Sequence, residues 1–260
     1  VVVQNTGTDS VTFTATRVNG YVVATAGERT VNAETSTFAI TLNGSGAGEN
    51  KITYTGGSSH DTIMGGAGGD VLTGNGGNDS IIGGLSADTI NVGDGTNVVV
   101  FTNGLTVDTI SEYSNDDIGS FDLSELEQPN SVVNGRTLDF VYGSSTSIVA
   151  GDEINMQEVN GITTLSATTN VLHYSGASVA DAAALEIALE GNVRTNAALA
   201  KNDAFLVQYR KLSTGTYSYA IAHLEDSSVP ANTLITSWDV IDIATTDLNS
   251  ALLPNQFSFE

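Results

Sequence analysis

Short runs of apolar and hydroxyl side chains fill the first 50 residues of the chain. The runs at residues 11–14, 21–23 and 38–42 are rich in Val, Ile, Phe, Tyr and Thr and alternate with a period near two. That period and that composition are typical of half-buried β-strands. Asn-Gly pairs at residues 19–20 and 43–44 lie beside these runs and favour tight turns. The pattern therefore predicts a ladder of short strands.

Residues 56–100 repeat every nine positions. An aspartate recurs at the sixth position of four successive units, and a large apolar residue follows two positions later each time. The units are GGSSHDTIM (56–64), GGAGGDVLT (65–73), GNGGNDSII (74–82), GGLSADTIN (83–91) and a degraded fifth unit, VGDGTNVVV (92–100). A repeat of fixed period indicates stacked structural units. Chance low complexity would not keep the apolar residue in phase with the aspartate.

Each unit has a Gly-rich half that can turn sharply and a second half that forms a short strand with one apolar residue facing inward. Burial of the four large apolar side chains contributes about 6–12 kcal/mol. Ordering the backbone of the same units costs roughly 1–2 kcal/mol for every residue. Hydrophobic burial alone therefore does not hold this segment together.

The repeated aspartates point to a cation. If one turn of the coil uses two units, Asp61 lies over Asp79 and Asp70 over Asp88, about 4.8 Å apart. Two carboxylates at that distance repel by roughly 3 kcal/mol at an effective dielectric constant of 20. A divalent cation between them reverses the sign of the interaction. Oxygen ligands select Ca²⁺ over zinc or copper. Since apolar burial is insufficient and the carboxylates repel one another without metal, we expect a segment that folds only when it binds Ca²⁺.

Composition narrows the function further. The 260 residues carry 8 Lys and Arg against 30 Asp and Glu, a formal net charge of −22, and no cationic residue lies between Lys51 and Arg136. We therefore expect neither nucleic acid nor an anionic membrane as a partner. The chain has no Cys, which excludes disulfides and thiolate zinc sites. No apolar run is long enough to span a bilayer, so membrane insertion is not expected.

The units resemble the RTX nonapeptide, G-G-x-G-x-D-x-U-x, in which U is a large apolar residue. The resemblance implies a parallel β-roll that holds several Ca²⁺ ions between its turns. It implies as metal ligands the carboxylates of Asp61, Asp70, Asp79 and Asp88 and the turn carbonyls of Gly57, Gly66, Gly68 and Gly77. We expect two well-formed ion sites, with weaker ones at Asp79/Asn97 and Asn50/Asp70.

Several positions depart from the RTX pattern. Ser59 and Ser86 replace the fourth-position glycine, and Asn75 replaces the second glycine. In the fifth unit Asn97 replaces the aspartate, although Asp94 at the third position offers another carboxylate as a metal ligand. Whether this unit binds Ca²⁺ or forms a plain turn is open from the sequence.

The repeat fades after residue 104. The acidic stretch at residues 112–127 offers another candidate Ca²⁺ site, but a solvated face is the favoured interpretation. A helix is predicted near residues 179–190, with Ser178 as the cap and Asp181 in a capping-box position. This helix is Ala-rich and acidic, and we interpret it as a packing element.

The remaining candidate residues are isolated in the sequence. His60 is expected to be exposed, and His173 and His223 are expected to be structural or solvent-facing. Trp238 is expected in a core or on a strand face, a role favoured over glycan binding. Neither an HExxH nor a GxSxG motif occurs, so no catalytic residue is assigned and the chain is not expected to be an enzyme.

We therefore predict an all-β fold, a parallel β-roll or β-solenoid with a C-terminal β-rich cap that carries one short helix. Residues 1–50 should form an N-terminal strand ladder that continues a solenoid, residues 51–105 the RTX calcium β-roll, and residues 106–260 a C-terminal capping or secretion domain. Since the sequence begins within a strand pattern, we expect further sequence upstream.

The C-terminal pattern is similar to that of Gram-negative RTX surface-layer proteins. This resemblance implies a secreted, cell-surface protein that leaves the cell by type I secretion and is ordered by extracellular Ca²⁺. Its expected partners are copies of itself in a lattice, the type I secretion apparatus and a cell-surface polysaccharide. Two alternatives remain open: the secretion domain of a larger hydrolase, such as a protease or lipase, and the terminal module of a calcium-dependent adhesin.

Overall fold

The computed structural model describes most of the chain: residues 2–5, 11–14, 20–24, 29–102, 106–122, 139–141, 147–224 and 228–260. Within these ranges, side chains are described from residue 29 onward except for that of Asp139. The chain divides into two compact units, residues 1–120 and residues 121–260. Both units are built mainly from β-strands.

The first unit contains thirteen short strands among its described residues. They are β1 (Val2–Asn5), β2 (Val11–Thr14), β3 (Gly20–Ala24), β4 (Arg29–Asn32), β5 (Ile40–Asn43), β6 (Ile52–Thr55), β7 (Thr62–Met64), β8 (Val71–Thr73), β9 (Ser80–Ile82), β10 (Thr89–Asn91), β11 (Val98–Phe101), β12 (Asp108–Ser111) and β13 (Ile118–Phe121). A single 3-10 turn, Ser45–Ala47, interrupts the described residues of this series.

Successive strands of the first unit belong to alternate sheets. The odd-numbered strands from β1 to β13 form one ladder, and the even-numbered strands from β2 to β12 form a second. Pairing within each ladder is parallel, with Ile63 beside Ile81 and Leu72 beside Ile90. Each turn of the chain therefore uses two nonapeptides, as predicted, and the mostly parallel arrangement is consistent with a β-roll.

The core of the first unit contains a row of apolar side chains, one from each of the first four nonapeptides, and the fifth nonapeptide adds Val92, Val99 and Val100. The predicted inward residues are all at most 1% exposed: Ile63, Leu72, Ile81, Ile90 and Val99. In strands β7 to β10, the residues on either side of them are partly or fully exposed. The prediction of one inward apolar residue in each nonapeptide is confirmed for the first four units, whereas the fifth buries three.

The parallel ladders run on past residue 105, where the sequence analysis placed the end of the roll. Strand β12 pairs in parallel with β10, and β13 follows β11 in the odd-numbered ladder. Here the spacing between stacked residues is 20 instead of 18, since Asp88 hydrogen-bonds to Asp108 and Asn97 to Asp117. Because the last turn contains two additional residues, its aspartates do not fit the nine-residue period.

The second unit is built around a five-stranded mixed sheet. Its elements are β14 (Asp139–Phe140), β15 (Met156–Val159), β16 (Thr163–Thr164), β17 (Val171–Val179), α1 (Ala182–Leu189), β18 (Val193–Arg194), β19 (Asp203–Lys211), β20 (Tyr217–Leu224), β21 (Trp238–Thr246), the 3-10 turn Pro254–Gln256 and β22 (Phe257–Phe259). Strands β15, β17 and β19 are parallel, and β19, β20 and β21 are antiparallel. Strand β14 extends along β19, and β16 pairs with β18.

The predicted helix exists, but its cap differs from the prediction. Strand β17 continues to Val179, so Ser178 is extended, and Asp181 is the residue that caps the helix. Its carboxylate accepts a hydrogen bond from the backbone N–H of Ala184 at 2.9 Å. The helix buries Leu185 and Leu189 completely, which confirms its role as a packing element.

The apolar core of the second unit lies between this helix and the sheet. Trp238 is 1% exposed and meets Phe205 edge-on, with ring centroids 6.1 Å apart, which confirms its predicted place in a core. Within the described ranges, no helix has the length and apolar content needed to span a membrane.

Truncation of an inward residue of the roll should be far more costly than the same truncation in a turn. Leu72 is fully buried and Leu85 is 53% exposed. We expect Leu72→Ala to lower the free energy of unfolding in Ca²⁺ by about 2–4 kcal/mol, and Leu85→Ala by about 0.5 kcal/mol or less. Chemical denaturation of both variants measures the difference, and equal losses would contradict the assigned core.

Candidate calcium site

The repeated aspartates form two columns that run through the turns of the roll. One column contains Asp61, Asp79, Asn97 and Asp117, and the other contains Asp70, Asp88 and Asp108. Every member is 0–7% exposed. In each case the side-chain Oδ1 accepts the backbone N–H of a residue one turn earlier, at 2.7–2.9 Å. The predicted stacking of Asp61 with Asp79 and of Asp70 with Asp88 is confirmed.

Each aspartate or asparagine of a column is one rung of it. The hydrogen-bond partners of the second carboxylate oxygen, Oδ2, differ from one rung to the next. Oδ2 of Asp61 accepts the Tyr54 hydroxyl at 2.9 Å and the Gly57 N–H at 3.3 Å. Oδ2 of Asp70 accepts the Gly66 N–H at 2.6 Å. Oδ2 of Asp79 and of Asp88 is buried and has no hydrogen-bond partner in the protein. A buried carboxylate oxygen without a donor is costly, and a cation bound beside it would offset that cost.

Backbone conformation explains this difference. The second residue of the third unit, Asn75, has φ = 68°, and that of the fourth unit, Gly84, has φ = 111°. At the equivalent place Gly57 and Gly66 keep ordinary negative φ and donate their N–H groups to the carboxylate of the same unit. The left-handed turns give no such donation, and their carboxylates keep a free oxygen.

The glycine that opens each of the first four units is required by close approach. A Cβ on Gly74 would lie 2.4 Å from Asp79 Oδ2 and 2.5 Å from the Val92 carbonyl oxygen. A Cβ on Gly65 would meet Asp70 Oδ2 at 2.4 Å and the Gly83 carbonyl at 2.1 Å. Carboxylate and carbonyl oxygens therefore converge at these turns, which is the donor set that suits Ca²⁺.

Burial raises the pKa of the column carboxyls because it disfavours the charged form. The pKa of Asp79 rises to about 7, with a smaller contribution from the charge of Asp61. The pKa of Asp88 rises to about 8, and that of Asp108 to about 7. Burial also raises the pKa of Asp61, Asp70 and Asp117. A bound cation favours the charged form and opposes this effect.

The predicted carbonyl ligands lie in the turns between coils. The Gly57 carbonyl accepts the Gly76 N–H at 3.0 Å, and the Gly66 carbonyl accepts the Leu85 N–H at 2.9 Å. Each of these oxygens retains a second lone pair for a metal. Gly68 packs against the backbone of Glu49, and Gly77, at φ = 122°, packs against that of Ser59. Their assignment as ligands stays a prediction.

The fifth unit contributes a neutral rung. Asn97 is fully buried, accepts the Asp79 N–H through Oδ1 at 2.8 Å and donates through Nδ2 to the Gly93 carbonyl at 3.3 Å. Asp94 is exposed, and its backbone carbonyl accepts the Gly77 N–H. Asn50 donates its side-chain amide to Ala47 within its own loop. Among the described residues, no group of three or more His, Asp or Glu side chains converges on one metal position.

Sequence reasoning missed Asp108 and Asp117 as rungs. Asp117 lies in the stretch interpreted as a solvated face, yet it is fully buried. It lies between turns because its Oδ1 accepts a hydrogen bond from the backbone N–H of Asn97 in the turn before. Asp116 beside it is exposed, and residues 123–127 lie outside the described residues. The signal for Asp108 was present: the triplet Asp-Thr-Ile occurs at 61–63, 88–90 and 108–110.

The three histidines differ in burial and in the contacts that they make. His60 is exposed, as predicted. His173 stacks on Tyr217 and contacts Gln208 at 3.1 Å, and burial lowers its pKa. His223 is fully buried with Nε2 3.3 Å from an Asp239 carboxylate oxygen. The structural roles predicted for His173 and His223 agree with this burial.

Comparison with protein families identifies the repeat. Residues 55–90 and 64–99 both match the family model described as the RTX calcium-binding nonapeptide repeat, in four copies. Searches of curated proteins and of solved structures gave no match. The repeat region therefore belongs to the RTX calcium-binding nonapeptide family, and it binds several Ca²⁺ ions. RTX repeats indicate a calcium-binding protein that is exported by type I secretion.

Neutralising one unpartnered rung should weaken calcium binding and favour the metal-free fold at the same time. Asp79→Asn removes a buried charge, so we expect it to stabilise the metal-free roll by about 2–4 kcal/mol. The β signal in chelator should rise accordingly. The same variant should bind at least one Ca²⁺ ion fewer. Circular dichroism and equilibrium dialysis measure the two effects.

The matched control is Asp116→Asn, the same change of charge at an exposed position. It should alter neither the number of ions nor the signal in chelator. If Asp79→Asn and Asp116→Asn behave alike, the assignment of Asp79 as a buried rung is wrong.

Acid should favour the metal-free roll. A carboxyl whose pKa is raised by folding stabilises the fold below its unfolded pKa of 3.8, and this contribution is lost as pH rises through the folded pKa. With folded values near 7 and 8 for Asp79 and Asp88, the loss spans roughly pH 4 to 8. Circular dichroism in chelator should show declining β structure across this window. A signal that is constant with pH would contradict the burial of these charges.

Proposed function

We propose that this chain is a non-catalytic, calcium-dependent folding and assembly module at the C-terminus of a secreted, surface-layer-like protein. The observation that carries the proposal is the pair of buried carboxylate oxygens, on Asp79 and Asp88, that have no donor in the protein. They make the central turns of the roll unfavourable without a cation and favourable with one.

The proposed folding step follows from where Ca²⁺ is abundant. Inside the cell Ca²⁺ is scarce, so the cost of burying the unpartnered carboxylates of Asp79 and Asp88 keeps the repeats open and suited to export as an unfolded chain. Sites with affinities of about 10⁻⁴–10⁻³ M are typical of extracellular calcium modules. Outside the cell the ion fills such sites, and its binding free energy becomes folding free energy.

The proposed assembly step would use exposed apolar side chains of the second unit. Several large apolar side chains of the second unit project into solvent, with Ile162, Ile187 and Leu212 each 64–72% exposed. Exposed apolar side chains lose unfavourable contact with water when they are buried between copies of a protein. The chain also carries few cations and no Cys. Copies of the same chain, the type I secretion apparatus and a cell-surface polysaccharide are the partners that we propose.

A calcium titration followed by circular dichroism and light scattering tests both steps. We expect a β spectrum that increases with Ca²⁺ and a particle size that then climbs above that of the monomer. An Asp79→Asn/Asp88→Asn double variant is the control, because its response to Ca²⁺ should be reduced in both signals. Mg²⁺ at the same concentration controls for ionic strength.

The two signals separate the alternatives. Calcium-dependent β structure with an unchanged monomeric size would contradict assembly and favour the secretion domain of a hydrolase or an adhesin module. A spectrum that is fully β in excess chelator and unchanged by Ca²⁺ would contradict metal-driven folding itself.

A further inference from the structure

The column Asp61, Asp79, Asn97 and Asp117 is not uniform in its demand for a cation. Its two end rungs, Asp61 and Asp117, each receive a protein hydroxyl at Oδ2. Asn97 is neutral and satisfied at both side-chain atoms. Asp79 is the member of this column whose buried Oδ2 has no protein donor.

At the first rung the hydroxyl comes from inside the roll. Tyr54 is fully buried on β6, and its neighbours at the same inward position of the ladder are Val31 on β4 and Leu72 on β8. Those aliphatic side chains have no polar atom. The Tyr54 phenol reaches the opposite ladder and donates to Asp61 Oδ2 at 2.9 Å. A tyrosine thus stands where the repeat pattern calls for an aliphatic residue, and its hydroxyl ends on a column carboxylate.

At the last rung the hydroxyl comes from the turn. Ser114 donates its backbone N–H to Asp117 Oδ2 at 2.7 Å and its side-chain hydroxyl to the same oxygen at 3.0 Å. Oδ1 of Asp117 accepts the Asn97 N–H at 2.7 Å. Both oxygens of this fully buried carboxylate are therefore satisfied by the protein.

We propose that Tyr54 and Ser114 are positioning residues that close the two ends of this column without metal and confine its calcium requirement to Asp79. Neutral hydroxyl donors supply at Asp61 and Asp117 the stabilisation that a cation supplies at an unpartnered rung. The roll therefore needs fewer ions than it has buried carboxylates. This inference rests on the proposed calcium-dependent folding.

The test removes the phenol oxygen alone. Tyr54→Phe leaves Asp61 Oδ2 with only the 3.3 Å bond from Gly57, so its rung should come to resemble that of Asp79. We expect the Ca²⁺ concentration at half-maximal β signal to rise about three- to tenfold, since a hydrogen bond to a charged group is lost in a transition that several ions share. Ser114→Ala, which keeps the backbone donor, should raise it about twofold.

The chain offers a matched control. Tyr209 is also a fully buried tyrosine whose hydroxyl donates to a carboxylate, that of Asp242, but it lies in the second unit. Tyr209→Phe should leave the calcium midpoint of the roll unchanged. If Tyr54→Phe leaves the midpoint at the wild-type value, or if both variants shift it equally, the inference is overturned.

A double-mutant cycle separates closure of the carboxylate from a general packing role. With Asp61→Asn the rung is neutral and needs no closure, so adding Tyr54→Phe to it should move the midpoint less than about twofold. An undiminished shift in this background would overturn the inference, even if Tyr54→Phe alone folds poorly. The wild-type titration separates failure of the proposed function from failure of this inference. If the wild-type chain shows no response to Ca²⁺, the proposed function is wrong. If the wild-type chain responds normally but the effects of Tyr54→Phe and Asp61→Asn are independent, only this inference is wrong.

Discussion

Everything in the first unit depends on where buried aspartates place their second oxygen. The first oxygen of each rung has the same task, to accept an N–H group from the turn before, and this bond fixes the register of one turn on the next. The second oxygen is left in a dry position where it needs a hydrogen-bond donor or a cation. One apolar side chain from each unit gives too little burial to offset an unpartnered charge there. A requirement for a partner at the second oxygen is therefore built into the stacking itself.

The turns decide which rungs carry that requirement. Where the second residue of a turn keeps an ordinary negative φ, as at Gly66, its N–H closes the carboxylate of the same unit. Where it turns left-handed, as at Asn75, the carboxylate of Asp79 stays open. Side chains add a second layer of control, because Tyr54 closes one end of a column and Ser114 the other. A repeat that looks uniform in sequence thus differs from rung to rung in whether the protein itself supplies a donor to the second carboxylate oxygen.

The nine-residue period was enough to predict stacked units and their inward residues and, with two units in each turn, the stacking of Asp61 on Asp79, whereas the parallel β-roll was implied by the resemblance to RTX repeats. It failed at Asp108 and Asp117, because two inserted residues change the period while the hydrogen-bond pattern continues. It also gave no sign that Tyr54 bonds to Asp61, since that contact joins the two ladders across the interior. The helix is capped by Asp181 and not by the predicted Ser178, because a nine-residue strand extends as far as Val179. Local sequence patterns predicted most strands and the helix, but the contacts between turns could be identified only from the three-dimensional structure.

A calcium-triggered roll would let one chain be open during export and ordered at the cell surface. Hydrogen–deuterium exchange read out by peptide tests this idea most directly, because it reports on the repeat separately from the second unit. The account predicts that peptides from residues 55–99 exchange freely in chelator and become protected in Ca²⁺, while peptides from β19 and β20 are protected in both conditions. Strong protection of residues 55–99 in chelator would contradict it.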